Sequence, residues 1–297
     1  MRPGELLRGA AHRAGVNNST DFLSTPVDRH LTALAETIEA EAMDAYLAHA
    51  PAAARAGLGI TTTRLGGAAV MSARLDPYEY WSKVVGLGVL APVTHDRVGE
   101  VIARYREQGT PTALVQIAPS LLPADWEDVR AAHGLEPAGA WHKHAAPIDE
   151  LRTDALTDLR VGRVGADDAA EWAHLVATTF GMDHAALVAM LAQAVHTPGT
   201  QLYAAWDGDR VVAGAALFVQ GTTASLHSDA TAATHRGRGA HSALIAARIE
   251  AARAAGARWV VAETGVPAPG TRNPSTENMR RAGLGVAYVR PNWRWRA

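Results

Sequence analysis

Residues 234–242, with the sequence THRGRGAHS, combine residue types that suit binding of an anion. Gly237 and Gly239 alternate with Arg236 and Arg238 between a predicted strand and the clearest predicted helix of the chain. Glycine lets the backbone turn tightly and approach a ligand, and the free amides at a helix N-terminus attract negative charge. The pattern indicates a pyrophosphate site with positive charge at its rim. An arginine-rich surface turn that only starts a helix is the alternative interpretation.

Glu263, at the end of the strand after that helix, is the first candidate for a general base, acting directly or through water. A strand-end carboxylate that caps the following loop is the alternative.

Asp229 and His227 lie on one face of the preceding strand, and they either share the base role or form a buried polar pair. His142 and His144 share one side of another strand, but no third ligand follows at a typical spacing, so we predict no metal site.

Hydrophobic periodicity and turn residues divide the chain into two similar series of elements. The first series contains helices at 29–50, 94–109 and 125–135, and strands at 57–63, 67–75, 81–89, 111–119 and 138–145. After a polar linker at about 147–158, the second contains helices at 167–180, 182–195, 241–256 and 275–283, and strands at 159–164, 201–206, 210–219, 223–231, 258–264 and 285–293. The helix at 29–50 is most simply a core helix that Pro51 ends.

The ends of the two series also align, since Gly134 in RAAHGLEPAGAWHK lies 149 residues before Gly283 in MRRAGLGVAYVR. This period predicts a duplicated domain, divided into residues 1–148 and 149–297. The first half has APVTHD where the second has its glycine–arginine loop, and Gly86 and Gly88 alone are too weak a signal for a phosphate site. We expect the first half to complete a substrate cleft or to support the second.

Composition excludes several classes of protein. The 297 residues include no cysteine, which excludes a disulfide framework, a thiolate metal site and a cysteine nucleophile. The formal net charge is −2, so no basic excess points to nucleic acid. The N-terminal MRPGELLRGAAHRAG has no apolar core typical of a signal peptide, and the uncharged stretch 184–206 contains a Pro-Gly break, so we expect a cytoplasmic protein with no membrane partner.

The order of elements around the loop resembles the GNAT family of acyl-CoA-dependent N-acyltransferases. A strand is followed by the RGRG loop, a helix, a strand that ends at Glu263 and a helix that ends in Arg-Ala-Gly. In the family loop pattern [QR]-x-x-G-x-[GA], Arg236 and Gly239 match and His241 replaces the final small residue. The resemblance covers about 159–293 and is only architectural over the first half. It implies a mixed α/β fold of tandem GNAT-like domains, each a twisted, mostly antiparallel sheet with flanking helices.

The resemblance also implies how the cosubstrate, acetyl-CoA or another acyl-CoA, would bind. Pantetheine would lie between two splayed strands, where backbone groups of 229–231 would polarise the thioester carbonyl, and the pyrophosphate would lie on the loop amides. The residues expected to bind the cosubstrate are Ala230, Thr231, Arg236, Gly237, Arg238, Gly239, Ala240, His241, Ser242 and Asn278. The position of the family's tyrosine acid is Met279 here, so either Tyr288 or solvent would protonate the leaving thiolate, and ordinary core packing is the alternative role for Tyr288.

These observations predict an N-acyltransferase that moves an acetyl or other short acyl group to an amine of a small molecule by direct attack, without a metal. A non-catalytic acyl-CoA-binding module and another acyl-CoA reaction on the same fold are the alternatives. The aromatic and basic tail from Trp293 to Arg296 either lines a pocket, or forms the seam of a homodimer, or packs as an edge strand with solvated arginines.

Overall fold

Helices and strands alternate along residues 29–297, the part of the chain that the computed structural model describes. The N-terminal stretch in which we predict no signal peptide lies outside these residues. The helices are α1 Arg29–Ala48, α2 Ala52–Leu58, α3 His95–Glu107, α4 Trp126–Ala132, α5 Ala169–Thr179, α6 Ala185–Gln193, α7 Ala240–Ala254 and α8 Pro274–Arg281. The strands are β1 Ile60–Leu65, β2 Ala68–Ala73, β3 Lys83–Val85, β4 Thr112–Gln116, β5 Glu136–Pro147, β6 Arg160–Arg163, β7 Thr200–Asp207, β8 Arg210–Gln220, β9 Thr223–Thr231, β10 Trp259–Gly265 and β11 Val286–Arg296.

Local sequence signals account for where several elements begin and end. Thr94 caps α3, because its hydroxyl accepts a hydrogen bond of 3.2 Å from the amide of Arg97. Gly208 adopts a positive φ of 61° in the turn that joins β7 to β8. Pro51 separates α1 from α2, as the sequence predicted. No helix within residues 29–297 is both long enough and apolar enough to cross a membrane.

The strands form one 11-stranded sheet in the order β1-β2-β3-β4-β11-β5-β10-β9-β8-β7-β6. Pairing is antiparallel except between β3 and β4 and between β9 and β10. The predicted mixed α/β fold with a mostly antiparallel sheet is confirmed. The expectation of one sheet per half needs correction, because the two sheets are continuous.

The last strand of each half pairs within the other half. β11 lies between β4 and β5, and β5 lies between β11 and β10. The order is therefore symmetric about the β11–β5 pair apart from β6, which has no counterpart in the first half. Each half also contains the same series of two helices, three strands, a helix, a strand, a helix and a strand. This pseudo-twofold arrangement agrees with the predicted duplication. The division at 148/149 stays a prediction. Strands β5 and β11 each pair with a strand of the half on the other side of this division.

The exchange also places the aromatic tail inside the sheet. The Trp295 ring stacks on Tyr105 at 5.8 Å, and the Trp293 ring meets Trp126 at 5.5 Å. Trp295 is 2% exposed. The tail is therefore not an edge strand, and its tryptophans pack in the core of the first half rather than at a homodimer seam.

Helices cover both faces of the sheet. Neighbouring residues of one strand point to opposite faces. Met71 belongs to a core cluster that includes residues of α1, α2, α5 and α6, whereas Val70 belongs to one that includes residues of α3 and α4. Helices α7 and α8 cover the second half on the α3 face. Helix α1 contacts strands β2 and β3 of its own half and β9 of the other, so it spans the junction between the halves.

Each half contains one parallel strand pair that could open into a cleft. The β3–β4 ladder ends at Val84 and Val115. Beyond it, Leu87, Val93 and Ile117 pack together as buried core residues. The residues that follow this ladder are therefore part of the hydrophobic core of the first half.

Candidate active site

The parallel pair β9–β10 separates at the point where the sequence predicted a cleft. Its ladder ends at Leu226 opposite Ala262. On the other side of β9, His227 pairs with Ala216 and Ala230 pairs with Gly214, so two residues of β9 oppose one residue of β8. This is a β-bulge, and Ser228 within it has a positive φ of 60°. The bulge releases backbone groups of residues 228 and 229 from the ladder beside the open gap.

The predicted loop from Arg236 to Ser242 lies at the N-terminus of α7. Gly239 is the N-cap, with a positive φ of 80°, and no side chain caps this helix. By contrast, Thr94 caps the equivalent helix α3 of the first half. The first amides of α7 are therefore open to an anion, as a pyrophosphate site requires.

The linker between the halves explains the glycine at position 239. A Cβ added there would overlap the carbonyl oxygen of Leu156. The Thr157 hydroxyl donates a 2.7 Å hydrogen bond to the carbonyl of Arg238 in the same loop. At Gly237, where φ is +82°, an added Cβ would have no atom within 4 Å. The linker thus supports the loop from behind, and Gly239 is required by this contact as well as by its φ.

The two loop arginines have different surroundings. Arg238 donates to Asp207 at 2.7 Å and to Asp158 at 2.5 Å, so two carboxylates offset its charge and fix its position. Arg236 is exposed and makes no side-chain hydrogen bond or ion pair with any residue that the structure describes. The sequence assigned both arginines to the rim of the anion site. Both assignments stay predictions: Arg236 is available to an anion, and Arg238 is held by two carboxylates.

Asp229 lies in a polar chain behind the bulge. The buried Arg248 pairs with its carboxylate, and His241 Nε2 lies 3.2 Å from Oδ1. Asn278 donates to His241 Nδ1 at 2.8 Å and accepts from Arg281 at 2.7 Å. The structure therefore joins the predicted residues Asp229, His241 and Asn278 to each other.

Neither predicted partner of Glu263 on β9 has the environment of a good base. Burial alone would raise the pKa of Asp229, but the charges and hydrogen bonds of Arg248 and His241 together outweigh burial and lower the pKa to about 2. Burial, reinforced by Arg248, lowers the pKa of His227 to about 4. Asp229 is therefore a carboxylate held in an ion pair, and His227 is a neutral imidazole. The buried polar pair is the interpretation that this geometry supports.

Glu263 lies in a cluster of charged groups on the α1 face, which we call the carboxylate cluster: Glu36, Glu39, Lys143, Glu263 and Arg290. Arg290 contacts Glu263 at 2.5 Å, Glu36 at 2.8 Å and Glu39 at 2.6 Å. Lys143 lies 3.2 Å from Glu263 and also pairs with Glu39. The cluster unites α1, β5, β10 and β11, at the junction between the halves.

Within this cluster Glu263 is the carboxylate that reaches open space. Its side chain is 24% exposed, compared with 11% for Glu39 and 1% for Glu36. Burial and the neighbouring Glu39 raise the pKa of Glu263 against the lowering effect of Arg290 and Lys143. A carboxylate with a raised pKa at the edge of a cleft suits a general base.

The equivalent position in the first half carries an amide. Gln116 on β4 donates a 2.8 Å hydrogen bond to Asn292 on β11, just as Glu263 on β10 faces Lys143 on β5. Gln116 is 1% exposed. The second half therefore has the partly exposed carboxylate of Glu263 where the first half has the buried, neutral pair of Gln116 and Asn292.

Tyr288 lies in the interior of the same region. Its hydroxyl donates a 2.7 Å hydrogen bond to Glu36 and the residue is 7% exposed. Burial and the nearby carboxylates raise its pKa well above the usual value. This environment favours the core-packing alternative over the role of proton donor. Met279 is 1% exposed in the core below α8.

Several charged residues of the site were not found from the sequence. Glu36 and Glu39 were part of an apparent core helix, Lys143 lay between two histidines, and Arg248 and Arg290 lay in otherwise apolar segments. The signal that could have identified them was a charged residue on the buried face of a helix or strand. Such residues are almost always paired, so each of them predicts a partner of opposite charge.

Comparison with known proteins agrees with the geometry. Residues 169–273 match the sequence profile described as the Acetyltransferase (GNAT) family. No curated protein matches the sequence.

Solved structures share the fold over most of the chain. A GCN5-related N-acetyltransferase from Kribbella flavida aligns with a TM-score of 0.59 and 14% identity, over 88% of this chain and 95% of that one. A tandem GNAT protein from the clavulanic acid biosynthesis pathway aligns with a TM-score of 0.57 and 15% identity, over 91% and 94%. A GCN5-related N-acetyltransferase from Sphaerobacter thermophilus aligns with a TM-score of 0.55 and 16% identity, over 77% and 80%. Residues 169–273 are therefore a domain of the acetyltransferase (GNAT) family, in a chain with the fold of a tandem GNAT protein.

Proposed function

We propose that the protein transfers an acetyl or other short acyl group from acyl-CoA to an amine of a small molecule, at one site in its second half. One observation carries this proposal: the uncapped N-terminus of α7 adjoins an open β9–β10 gap that ends at the partly exposed Glu263. This places an anion site and a candidate base at the two ends of one cleft.

The residues around the gap fit an acyl-CoA molecule. The open amides of α7 and the free Arg236 would bind the pyrophosphate. The gap would hold pantetheine, and a backbone amide released by the bulge at Ser228 would donate to the thioester oxygen. The buried apolar residues beyond the β3–β4 ladder and the Thr94 cap of α3 support one site per chain.

Glu263 would take a proton from the acceptor ammonium, directly or through water. The amine nitrogen would then form a bond to the thioester carbon, and the carbon–sulfur bond would break. The thiolate would take a proton from solvent or from the protonated Glu263. This last transfer is favourable near neutral pH, because the pKa of a free thiol is about 8.5.

Two measurements test the proposal. Titration calorimetry with acetyl-CoA should show one site per chain. A panel of amines should then include acceptors that release free thiol from acetyl-CoA in an amine-dependent manner. Binding without thiol release would support the non-catalytic binding module instead, and release that does not depend on any amine would support another acyl-CoA reaction.

A further inference from the structure

The first half supplies an aromatic wall beside the bulge of β9. We define the first-half wall as Tyr46 from α1 together with Tyr80, Trp81 and Lys83, which lie at the start of β3. The Tyr46 ring meets His227 edge-on at 5.4 Å and lies 6.3 Å from the ring of Trp81. Trp81 meets Tyr80 at 5.3 Å, and Lys83 Nζ lies 3.6 Å from the centre of the Tyr80 ring. The wall is therefore continuous from β9 to Lys83.

Three polar atoms of the first-half wall and of His227, which it contacts, have no hydrogen-bond partner within residues 29–297. They are Tyr46 Oη, Trp81 Nε1 and His227 Nε2, and all three atoms are buried. Tyr46 is 3% exposed and Trp81 is 7% exposed. Unpartnered buried atoms also occur elsewhere in the described residues, for example Nε1 of Trp126 and Trp293, but here three of them adjoin one another and a buried ammonium. Buried polar atoms are nearly always satisfied in proteins, so this grouping fits a bound group. The indole can only donate, which means that the missing partner accepts hydrogen bonds.

Lys83 adds an ammonium to these donors. It is 3% exposed, and within residues 29–297 no carboxylate oxygen lies within 4 Å of its Nζ. Lys143 and Arg290, in the carboxylate cluster, both pair with glutamates. Burial lowers the pKa of Lys83 to about 8, which leaves it mainly cationic at neutral pH. The first-half wall thus offers one positive charge and unpartnered donors.

We propose that the first-half wall binds a carboxylate of the acyl acceptor, so that the acceptor is an amino-acid-like zwitterion whose ammonium faces Glu263. A single cation matches a monoanionic carboxylate better than a dianionic phosphate. The carboxylate cluster lies close enough for the charges of Glu39 and Glu263 to act on Lys83, and it supplies the negative charge that an ammonium needs. This inference rests on the proposed function and assigns the first half the binding of the acceptor.

The acceptor carboxylate takes no part in the bond changes. The nitrogen–carbon bond forms, the carbon–sulfur bond breaks, one ammonium proton leaves to Glu263, and the thiolate gains a proton. Lys83, Tyr46 and Trp81 would only fix the position and orientation of the acceptor. Losing them should therefore raise KM for a carboxylate-bearing acceptor more than it lowers kcat.

Matched acceptor pairs test the inference. Phenylalanine with phenethylamine, leucine with isopentylamine and lysine with cadaverine each differ by one carboxylate, and thiol release from acetyl-CoA reports turnover. We expect at least one amino acid to exceed its amine by about 10- to 100-fold in kcat/KM, the effect of a charge-assisted hydrogen bond. Lys83→Met should remove most of this preference while leaving the Kd of acetyl-CoA unchanged.

A second variant guards against misfolding of Lys83→Met. Tyr46→Phe removes a hydroxyl that lies near Ser228 but has no hydrogen bond of normal geometry within residues 29–297, so the melting temperature should change little. It should still raise KM for the preferred amino acid several-fold. Equal turnover of both members of every pair, or a preference that survives in both variants, would overturn the inference. Absence of thiol release with every acceptor would instead refute the proposed function.

Discussion

Replacing Glu263 by glutamine tests the central chemical role. The substitution keeps the size of the side chain and removes its ability to accept a proton. A general base is typically worth about 10²–10⁴ in rate, so kcat should fall by that factor. The Kd of acetyl-CoA should change little, because the proposed pyrophosphate site is at the N-terminus of α7 at the other end of the cleft.

The structure indicates a modest cost in stability for this variant. Removing one partner of a buried ion pair typically costs about 3–5 kcal/mol when the other charge is left alone. Here Arg290 keeps Glu36 and Glu39, and Lys143 keeps Glu39. Glu263 is also 24% exposed. The loss in unfolding free energy should therefore be well below that range, so a folded variant can be assayed.

The pH dependence separates loss of a base from loss of a charge. Burial and Glu39 raise the pKa of Glu263, so wild-type kcat/KM should fall as the pH drops through this raised pKa. Glu263→Gln should lose that acid limb. Glu39→Gln removes the negative neighbour and should move the limb to lower pH.

The assay is thiol release at saturating acetyl-CoA, and Glu36→Gln is the matched control. Glu36 belongs to the same cluster but is 1% exposed, so its substitution removes an equal charge without removing the proposed base. If Glu263→Gln loses less than about threefold in kcat between about pH 6 and pH 9, or if Glu36→Gln matches its loss, Glu263 is not the base.

Four further predictions concern the loop, Tyr288 and pH. Gly239→Ala should lower both the melting temperature and the affinity for acetyl-CoA, because its Cβ would overlap a linker carbonyl. Gly237→Ala should lower the unfolding free energy by only about 1–2 kcal/mol, the cost of its positive φ. Equal calorimetric results for the two variants would contradict the linker contact. Arg236→Ala should weaken acetyl-CoA binding about tenfold in a titration, and an unchanged Kd would remove it from the site. Tyr288→Phe should lower unfolding free energy by about 1.5–3 kcal/mol with little change in kcat, and a large fall in kcat would restore it as the acid. Burial lowers the pKa of His144 to about 4, so the unfolded chain binds more protons than the folded protein between about pH 4 and pH 6.5. The unfolding free energy should therefore fall as the pH drops through that window. Denaturant titrations of His144→Asn should show a smaller dependence of the unfolding free energy on pH.

Local chemistry made part of this protein predictable from the sequence. The helix that follows the RGRG loop, the Thr94 cap and the turn at Gly208 depend on residues close together in the chain. Repetition of the same element order indicated the duplication. The residues of the proposed anion loop could be named for the same reason, since the loop and the helix that it precedes are contiguous.

Only the tertiary structure decided how strands pair and which charges meet. A strand pattern shows which residues alternate between the two faces of a sheet but does not identify the neighbouring strand. The exchange of β5 and β11 was therefore hidden, and with it the meeting of Glu39, Lys143 and Arg290 around Glu263. The same exchange buried Tyr288 against Glu36. Glu263 was visible as a candidate because it ends a strand. Its raised pKa comes from burial and from Glu39 in the other half of the chain, which no local pattern encodes.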